Sequence, residues 1–175
     1  MTEDAMKRRR TLLVSGLICL VLALGALLLR QPEPVSEPVQ LRFTALDGRI
    51  VDMQDLRGHV VLLEFWATWC STCMQELPRL KALHDKYRGR GLQIVGVSLD
   101  EPADQEKLAA LLARENIRWP QYFPGDGHYR TSELAQRFGV QGIPAAFLLD
   151  KQGRVVDRNV HVARLEHTMR RLLSQ

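Results

Sequence analysis

Two runs of apolar residues, each bounded by turn-forming residues, predict the centre of a β-sheet. Residues 59–66 (HVVLLEFW) and 92–99 (LQIVGVSL) are rich in aliphatic, β-branched and aromatic side chains and show almost no alternation with polar ones. Runs of about four to eight such residues are typical of strands that are buried on both faces. One charged side chain, Glu64, interrupts the first run.

A helical pattern follows each of these strands. Residues 73–87 and residues 102–115 carry apolar side chains at the three- and four-residue spacing of one helix face. Strands that alternate with helices in this way are usually parallel and are joined by crossover helices. The middle of the chain is therefore predicted to form a β-α-β-α unit.

Weaker patterns on either side complete the predicted fold. The strands at 41–47 and 49–53 flank Asp47-Gly48, a turn signal, so the domain is expected to open with a β-hairpin. Further strands are predicted at 119–123, 145–150 and 154–158, and further helices at 132–138 and 163–173. The last two strands are expected to pair as a hairpin. The predicted class is α/β, with a mixed central sheet and helices on both faces.

The N-terminal part has a different pattern, which predicts a membrane anchor. Residues 11–29 contain no charged side chain and would span about 28 Å as a helix, close to the thickness of the hydrocarbon core of a bilayer. A cleaved signal peptide is the alternative, but its apolar core is usually only about 7–15 residues long. Basic residues concentrate in residues 1–10, which places the N-terminus in the cytoplasm and the rest of the chain outside.

A proline-rich linker separates this anchor from the predicted domain. Residues 30–40 contain three prolines, which exclude a regular helix or a central strand. The expected organisation is thus a cytoplasmic segment at 1–10, a transmembrane helix at 11–29, a linker at 30–40 and a single domain at 41–175.

Composition excludes several classes of protein. With 46% hydrophobic and 25% charged residues, the chain of 175 residues is neither disordered nor, with three cysteines, a disulfide scaffold. Residues 1–30 hold five basic and two acidic side chains, so they account for +3 of the net charge of +4. The remainder is nearly neutral and offers no basic surface for nucleic acid.

Two cysteines carry the candidate chemistry. Cys70 and Cys73 form a C-x-x-C motif directly after a buried strand and at the start of a helix, where backbone N–H groups and the helix dipole stabilise a thiolate. This position predicts a redox-active pair with an exposed nucleophile at Cys70. No metal site is expected, because Cys19 lies in the apolar segment and the five histidines show no ligand spacing.

The motifs around these cysteines resemble the thioredoxin superfamily. WATWCSTC at 66–73, Pro78 in the following helix and GIP at 142–144 before an apolar strand carry this resemblance. Over residues 41–173 the chain is similar to membrane-anchored thiol–disulfide oxidoreductases of the TlpA/ResA type. The resemblance implies a thioredoxin-like fold, no cofactor besides the Cys70–Cys73 disulfide, and a membrane dithiol as electron donor.

The resemblance also implies roles for individual residues. Cys70 is similar to the attacking cysteine and Cys73 to the buried resolving cysteine. Trp69 and the Ile143-Pro144 loop, with a cis peptide bond, are expected to contact an extended substrate.

Two acidic residues are candidates for the base that accepts the proton of Cys73. Glu64 matches the acid that thioredoxin-like chains carry in the strand before the motif. TlpA/ResA-type chains usually have Asn there and an acid after the motif, where this chain has Glu76. A solvated acid in the first turn of the helix, favoured by the dipole, is the alternative interpretation of Glu76.

The resemblance implies that the chain reduces disulfides in exported proteins such as apocytochrome c, with a domain on the periplasmic or extracytoplasmic side of the inner membrane. Two alternatives are a tethered Cu(I)-binding delivery module and a thiol peroxidase. Copper-delivery relatives usually have a C-x-x-x-C motif, and the peroxidase pattern T-x-x-C is missing, since Ala67 stands three residues before Cys70. The Ser71-Thr72 dipeptide leaves the reduction potential open.

Overall fold

The two apolar runs form the middle of a five-stranded sheet. We describe a computed structural model of the protein, which covers residues 37–158 and 162–175. The strands are β1 (Arg42–Thr44), β2 (Ile50–Asp52), β3 (Val60–Trp66), β4 (Leu92–Ser98), β5 (Gln121–Tyr122), β6 (Ala145–Leu149) and β7 (Val155–Arg158). The α-helices are α1 (Ser71–Tyr87), α2 (Gln105–Arg114), α3 (Glu133–Arg137) and α4 (Val162–Leu173).

The sheet has the order β5-β4-β3-β6-β7, with β3 in its centre. β3, β4 and β5 run parallel, whereas β6 and β7 are antiparallel to their neighbours. Every residue of β3 and β6 is buried, as their continuous apolar runs require. The predicted mixed sheet of a thioredoxin-like fold is confirmed. β1 and β2 pair antiparallel in a separate two-stranded sheet.

Two apolar layers cover the central sheet. On one face, the buried side of α1 packs against Val60, Leu62 and residues of β4 and α4. The α1 residues in this apolar cluster are Leu77, Leu80, Leu83 and Tyr87. A second apolar cluster contains Leu63, Phe65, the two cysteines and residues of α2, α3 and β1. The loop between β3 and α1 thus brings the cysteines to the carboxyl end of the central strand.

Several predicted elements differ from the observed ones in length, among them the first strand, predicted at 41–47 and observed at Arg42–Thr44. α1 begins at Ser71, two residues before the predicted start, because Cys70 is its N-cap. The predicted helix at 102–115 is a 3₁₀ turn (Pro102–Asp104) followed by α2. The predicted strand at 119–123 is reduced to the two residues of β5, because Trp119 instead packs into the apolar layer beside α1.

No helix among residues 37–158 and 162–175 is long and apolar enough to cross a membrane. The predicted anchor at 11–29 and most of the linker at 30–40 lie outside the described residues.

Candidate active site

The cysteine pair closes the N-terminal end of α1. Cys70 has an extended backbone as the N-cap, and its Sγ accepts a hydrogen bond from the N–H of Cys73 at 3.1 Å. The two Sγ atoms are bonded to each other as a disulfide, with the Cα atoms 5.2 Å apart. When this bond is reduced, the same N–H and the helix dipole favour a thiolate at Cys70.

The expected exposure of Cys70 is wrong for the oxidised form. Cys70 is 6% exposed, and Cys73 is 2% exposed. Cys70 is buried because its sulfur turns toward Cys73 and lies in the apolar cluster with Trp66 and Ala67. The order of accessibility still agrees with the roles that the resemblance implies, since Cys70 is the more accessible of the two.

An aromatic surface lies next to the motif. Trp69 is 47% exposed, and its indole stacks on the imidazole of His128, with ring centroids 5.9 Å apart and an angle of 6° between the planes. The sequence does not signal a role for His128, because this contact depends on the tertiary fold and no spacing in the chain indicates it. The pair offers a flat surface of the kind that binds apolar or aromatic groups.

The Ile143-Pro144 peptide bond is cis. Both residues are half-buried, and Ile143 packs against the apolar cluster that contains the two cysteines. The loop leads directly into β6, the antiparallel neighbour of β3.

Glu64 lies in the middle of the central strand. Its sheet neighbours are two small residues, Gly96 in β4 and Ala146 in β6, and it is 4% exposed. By the alternation along β3 it shares a face with Leu62, which packs in the same layer as α1. Burial, which is the larger cause, and the negative charge of Glu76 together raise the pKa of Glu64 to about 8.

Glu76 has a different place from the one expected. Because α1 begins at Ser71, Glu76 is in the second turn, and the first turn contains no acidic residue. Glu76 is half-buried and lies beyond the first turn, so it is not a solvated first-turn acid. Its charge instead acts on Glu64. The structure thus couples the two candidate bases electrostatically.

The raised pKa of Glu64 predicts a pH-dependent stability. The folded state keeps the Glu64 proton up to about pH 8, whereas the unfolded chain releases it near pH 4.5. The stabilisation is therefore complete below pH 4.5 and is lost as the pH rises toward 8. Relative to Glu64→Gln, the free energy of unfolding of the wild type should fall by up to about 5 kcal/mol over this range, at about 1.4 kcal/mol per pH unit.

Urea unfolding of the oxidised chain at a series of pH values measures this difference. Glu106→Gln, which removes an exposed carboxylate of α2, is the matched control and should follow the wild type. Parallel curves for wild type and Glu64→Gln would contradict the assignment of a proton to buried Glu64.

Within the described part of the chain, no three side chains of His, Cys, Asp or Glu come together in a way that could hold a metal ion. The cysteine pair is closed as a disulfide.

Comparison with known proteins decides the family. The sequence profile of the AhpC/TSA family matches residues 37–158. The chain belongs to this family. The match begins just before β1 and ends with β7, so it covers the whole sheet of this AhpC/TSA member.

Individual relatives of this AhpC/TSA chain include two proteins named thiol-disulfide oxidoreductase ResA. The one from Bacillus thuringiensis subsp. konkukian (strain 97-27) is 31% identical over 113 residues, which is 65% of this chain and 61% of the relative. The one from Geobacillus kaustophilus (strain HTA426) is 30% identical over 160 residues, which is 86% of this chain and 87% of the relative. The resemblance to TlpA/ResA-type members of the thioredoxin superfamily is confirmed.

A solved structure agrees with the fold. The crystal structure of a thiol:disulfide interchange protein, a thioredoxin family protein from Chlorobium tepidum TLS, matches with a TM-score of 0.68 and 23% identity. The match covers 82% of this chain and 99% of the other. At this identity it supports the thioredoxin-like fold alone.

Proposed function

We propose that the chain is a membrane-tethered thiol–disulfide oxidoreductase that reduces disulfides in extracytoplasmic proteins. The observation that carries the proposal is the Cys70–Cys73 disulfide at the N-cap of α1, where the N–H of Cys73 points at the sulfur of Cys70. The names of the ResA relatives support it. A redox-active disulfide needs no further cofactor.

The reaction proceeds by two thiol–disulfide exchanges. The Cys70 thiolate attacks one sulfur of the substrate disulfide, the substrate S–S bond breaks, and the second substrate sulfur leaves as a thiolate that takes up a proton. Cys73 then loses its proton and attacks the Cys70 sulfur of the mixed disulfide. The Cys70–Cys73 bond forms, and the first substrate sulfur leaves as a thiolate. Two electrons pass from the cysteine pair to the substrate.

The proton of Cys73 goes to a carboxylate in this mechanism. Cys73 is buried, so its thiol ionises reluctantly and solvent is a poor base for it. Glu64 is equally buried and has a pKa near that of a thiol, which makes it a suitable acceptor. Glu76 is the second candidate.

The substrate side of the site is formed by Trp69 and the loop at Ile143-Pro144. The exposed indole offers an apolar surface beside Cys70, and the loop offers backbone groups to an extended segment of the substrate. The class of substrate proposed is an exported protein with a disulfide between two cysteines, such as apocytochrome c. A membrane dithiol protein then reduces the Cys70–Cys73 disulfide and completes the cycle.

Reduction of insulin by the full-length chain, with dithiothreitol as the electron source, tests the activity. The wild type should accelerate the precipitation of the insulin B chain, and a variant with serine at both Cys70 and Cys73 should not. Equal rates for the two chains would contradict the proposal. A titration of the reduced chain with Cu(I) on the same preparations separates this function from metal delivery, because copper delivery needs tight binding without insulin reduction.

The proposed location predicts the behaviour of enzyme fusions. Alkaline phosphatase needs its disulfides and is active only outside the cytoplasm. Fused after Gln175, it should be active, because the basic residues before residue 11 hold the N-terminus in the cytoplasm. The matched fusion after Arg10, before the apolar segment, should be inactive. A well-expressed but inactive fusion after Gln175 would place the domain in the cytoplasm.

A further inference from the structure

A buried carboxylate, that of Asp100, lies next to the loop that leads from β3 to Cys70. Asp100 is two residues beyond the end of β4 and is fully buried, with an exposed fraction of 0%. Within the described residues it forms no ion pair with Lys, Arg or His. A buried carboxylate is costly unless hydrogen bonds replace its hydration, so its partners show what it does.

Those partners are all hydroxyl and amide donors. The N–H of Thr68 donates to both carboxylate oxygens of Asp100 at 3.0 and 3.1 Å, and the Thr68 hydroxyl donates to Oδ1 at 2.6 Å. The Ser98 hydroxyl donates to Oδ2 at 2.7 Å. Hydrogen bonds to an ionised acceptor are about twice as strong as neutral ones. This network therefore binds the loop after β3 strongly to the loop after β4.

The connection fixes the turn that carries the nucleophile. Thr68 lies between the end of β3 and Cys70, and the N–H of Cys70 donates to the carbonyl of Ala67 at 3.2 Å. Two Cα steps of about 3.8 Å separate Thr68 from Cys70, so the Cα atoms are at most about 7.6 Å apart. Asp100 therefore holds the turn at 67–70 against the end of β4.

The charge of Asp100 opposes that of a Cys70 thiolate. The start of α1 and the N–H of Cys73 favour the thiolate, whereas a buried negative charge nearby disfavours it. Other titratable groups near the motif include Glu64 on β3, Glu76 on α1 and His128, which stacks on Trp69. A less stable thiolate makes the disulfide a weaker oxidant and the dithiol a better reductant.

We propose that Asp100 is a positioning residue of the cysteine pair, which anchors the 67–70 turn through Thr68 and limits the stability of the Cys70 thiolate through its buried charge. This inference rests on the proposed oxidoreductase function and gives a physical reason why such a site acts as a reductant.

Asp100→Asn tests the charge with little change in the network. The Asn oxygen can still accept from Thr68, and the Ser98 hydroxyl can rotate to accept from the Asn amide. In the reduced full-length chain, the pKa of Cys70, measured from iodoacetamide alkylation against pH, should fall by about half a unit to one unit. The equilibrium constant with glutathione should shift toward the reduced protein by up to about tenfold, which corresponds to about 30 mV.

Glu101→Gln is the matched control, because it removes the same charge from the next residue, which is exposed. Solvent screens an exposed charge, so the pKa of Cys70 should move by less than about 0.2 units. A pKa of Cys70 in Asp100→Asn equal to that in Glu101→Gln would overturn the electrostatic part of the proposal.

Variants of Thr68 test separately whether Asp100 anchors the 67–70 turn. They answer this question even if Asp100→Asn does not fold. Thr68→Val removes the hydroxyl donor and Thr68→Ser keeps it. At a pH where Cys70 is fully ionised, attack on a small aromatic disulfide should be about tenfold slower for the Val variant and unchanged for the Ser variant. Equal rates for both would overturn the anchoring.

A failure of the proposal for Asp100 can be distinguished from a failure of the proposed oxidoreductase function. Alkylation of Cys70 and attack on a small disulfide need no protein substrate. A chain that shows the expected shifts but does not reduce insulin would contradict the oxidoreductase function and leave the role of Asp100 standing.

Discussion

Serine in place of Cys70 is expected to abolish the reduction of protein disulfides, with a loss of about a thousandfold or more. The reaction needs a sulfur nucleophile, and a serine hydroxyl does not ionise near neutral pH even at the N-cap of a helix. The hydrogen bond from the N–H of Cys73 can stabilise a thiolate only at Cys70, because the two positions are not equivalent with respect to α1. Insulin reduction by the full-length variant measures the loss.

Cys73→Ser should have the opposite effect on intermediates. This variant keeps the attacking thiolate at Cys70 but cannot resolve the mixed disulfide, so covalent complexes with substrate should accumulate. Cys70→Ser should accumulate few, since Cys73 is the more buried residue of the pair. Non-reducing electrophoresis of membranes from cells that express each variant compares the two. Equal trapping by both variants would contradict the assigned roles.

The central strands could be predicted from the sequence because burial on both faces imposes a continuous apolar run. β3 and β4 lie within one residue of the predicted bounds for this reason. β5 could not be predicted well, since only two of its residues pair with β4 and the preceding Trp119 packs into the core without being part of a strand. A short edge strand leaves too little pattern to separate it from a buried loop.

The start of α1 shows a second limit. The helix begins at Ser71 because a sulfur atom accepts the capping hydrogen bond, and propensities for N-cap residues favour Ser, Thr, Asp and Asn instead. Moving the start by two residues changed the interpretation of Glu76 from a first-turn acid to a group that acts on Glu64. A predicted helix start that is wrong by about half a turn therefore changes the role assigned to Glu76.

The motif identified the cysteines but not the side chains that support them. Asp100 and Thr68 are 32 residues apart, and His128 lies on a loop that reaches Trp69 only in the folded chain. In the sequence, Asp100 is a polar residue at the end of a strand, which is the usual place for one. Contacts of this kind depend on the order of strands in the sheet, and a single sequence carries no pattern for them.

Glu64→Gln should slow the second exchange, in which Cys73 resolves the mixed disulfide, by about tenfold to a hundredfold at pH 8. A positioned general base contributes about this much or more to a proton transfer. Gln keeps the size and the hydrogen-bonding capacity of the side chain but cannot take the proton. The first exchange should be nearly unchanged, because Cys70 attacks as a thiolate that is already formed.

The pH dependence of this step follows from the pKa of Glu64. Only the carboxylate form can accept a proton, and with a pKa of about 8 this form is a minor fraction at pH 7 and grows as the pH rises. The rate of the second exchange in the wild type should therefore rise with an inflection near pH 8, and this inflection should be absent in Glu64→Gln, whose Cys73 loses its proton only to hydroxide. Stopped-flow measurements with a fluorescent disulfide substrate resolve the two exchanges across pH.

Glu76→Gln distinguishes the two candidate bases because the two roles predict opposite results. The charge of Glu76 raises the pKa of Glu64, so its removal should shift the rise in rate to lower pH and make the second exchange faster at pH 7. If Glu76 is itself the base, the same variant should slow the second exchange at every pH. A slower step in Glu76→Gln, together with an unchanged profile in Glu64→Gln, would assign the proton of Cys73 to Glu76.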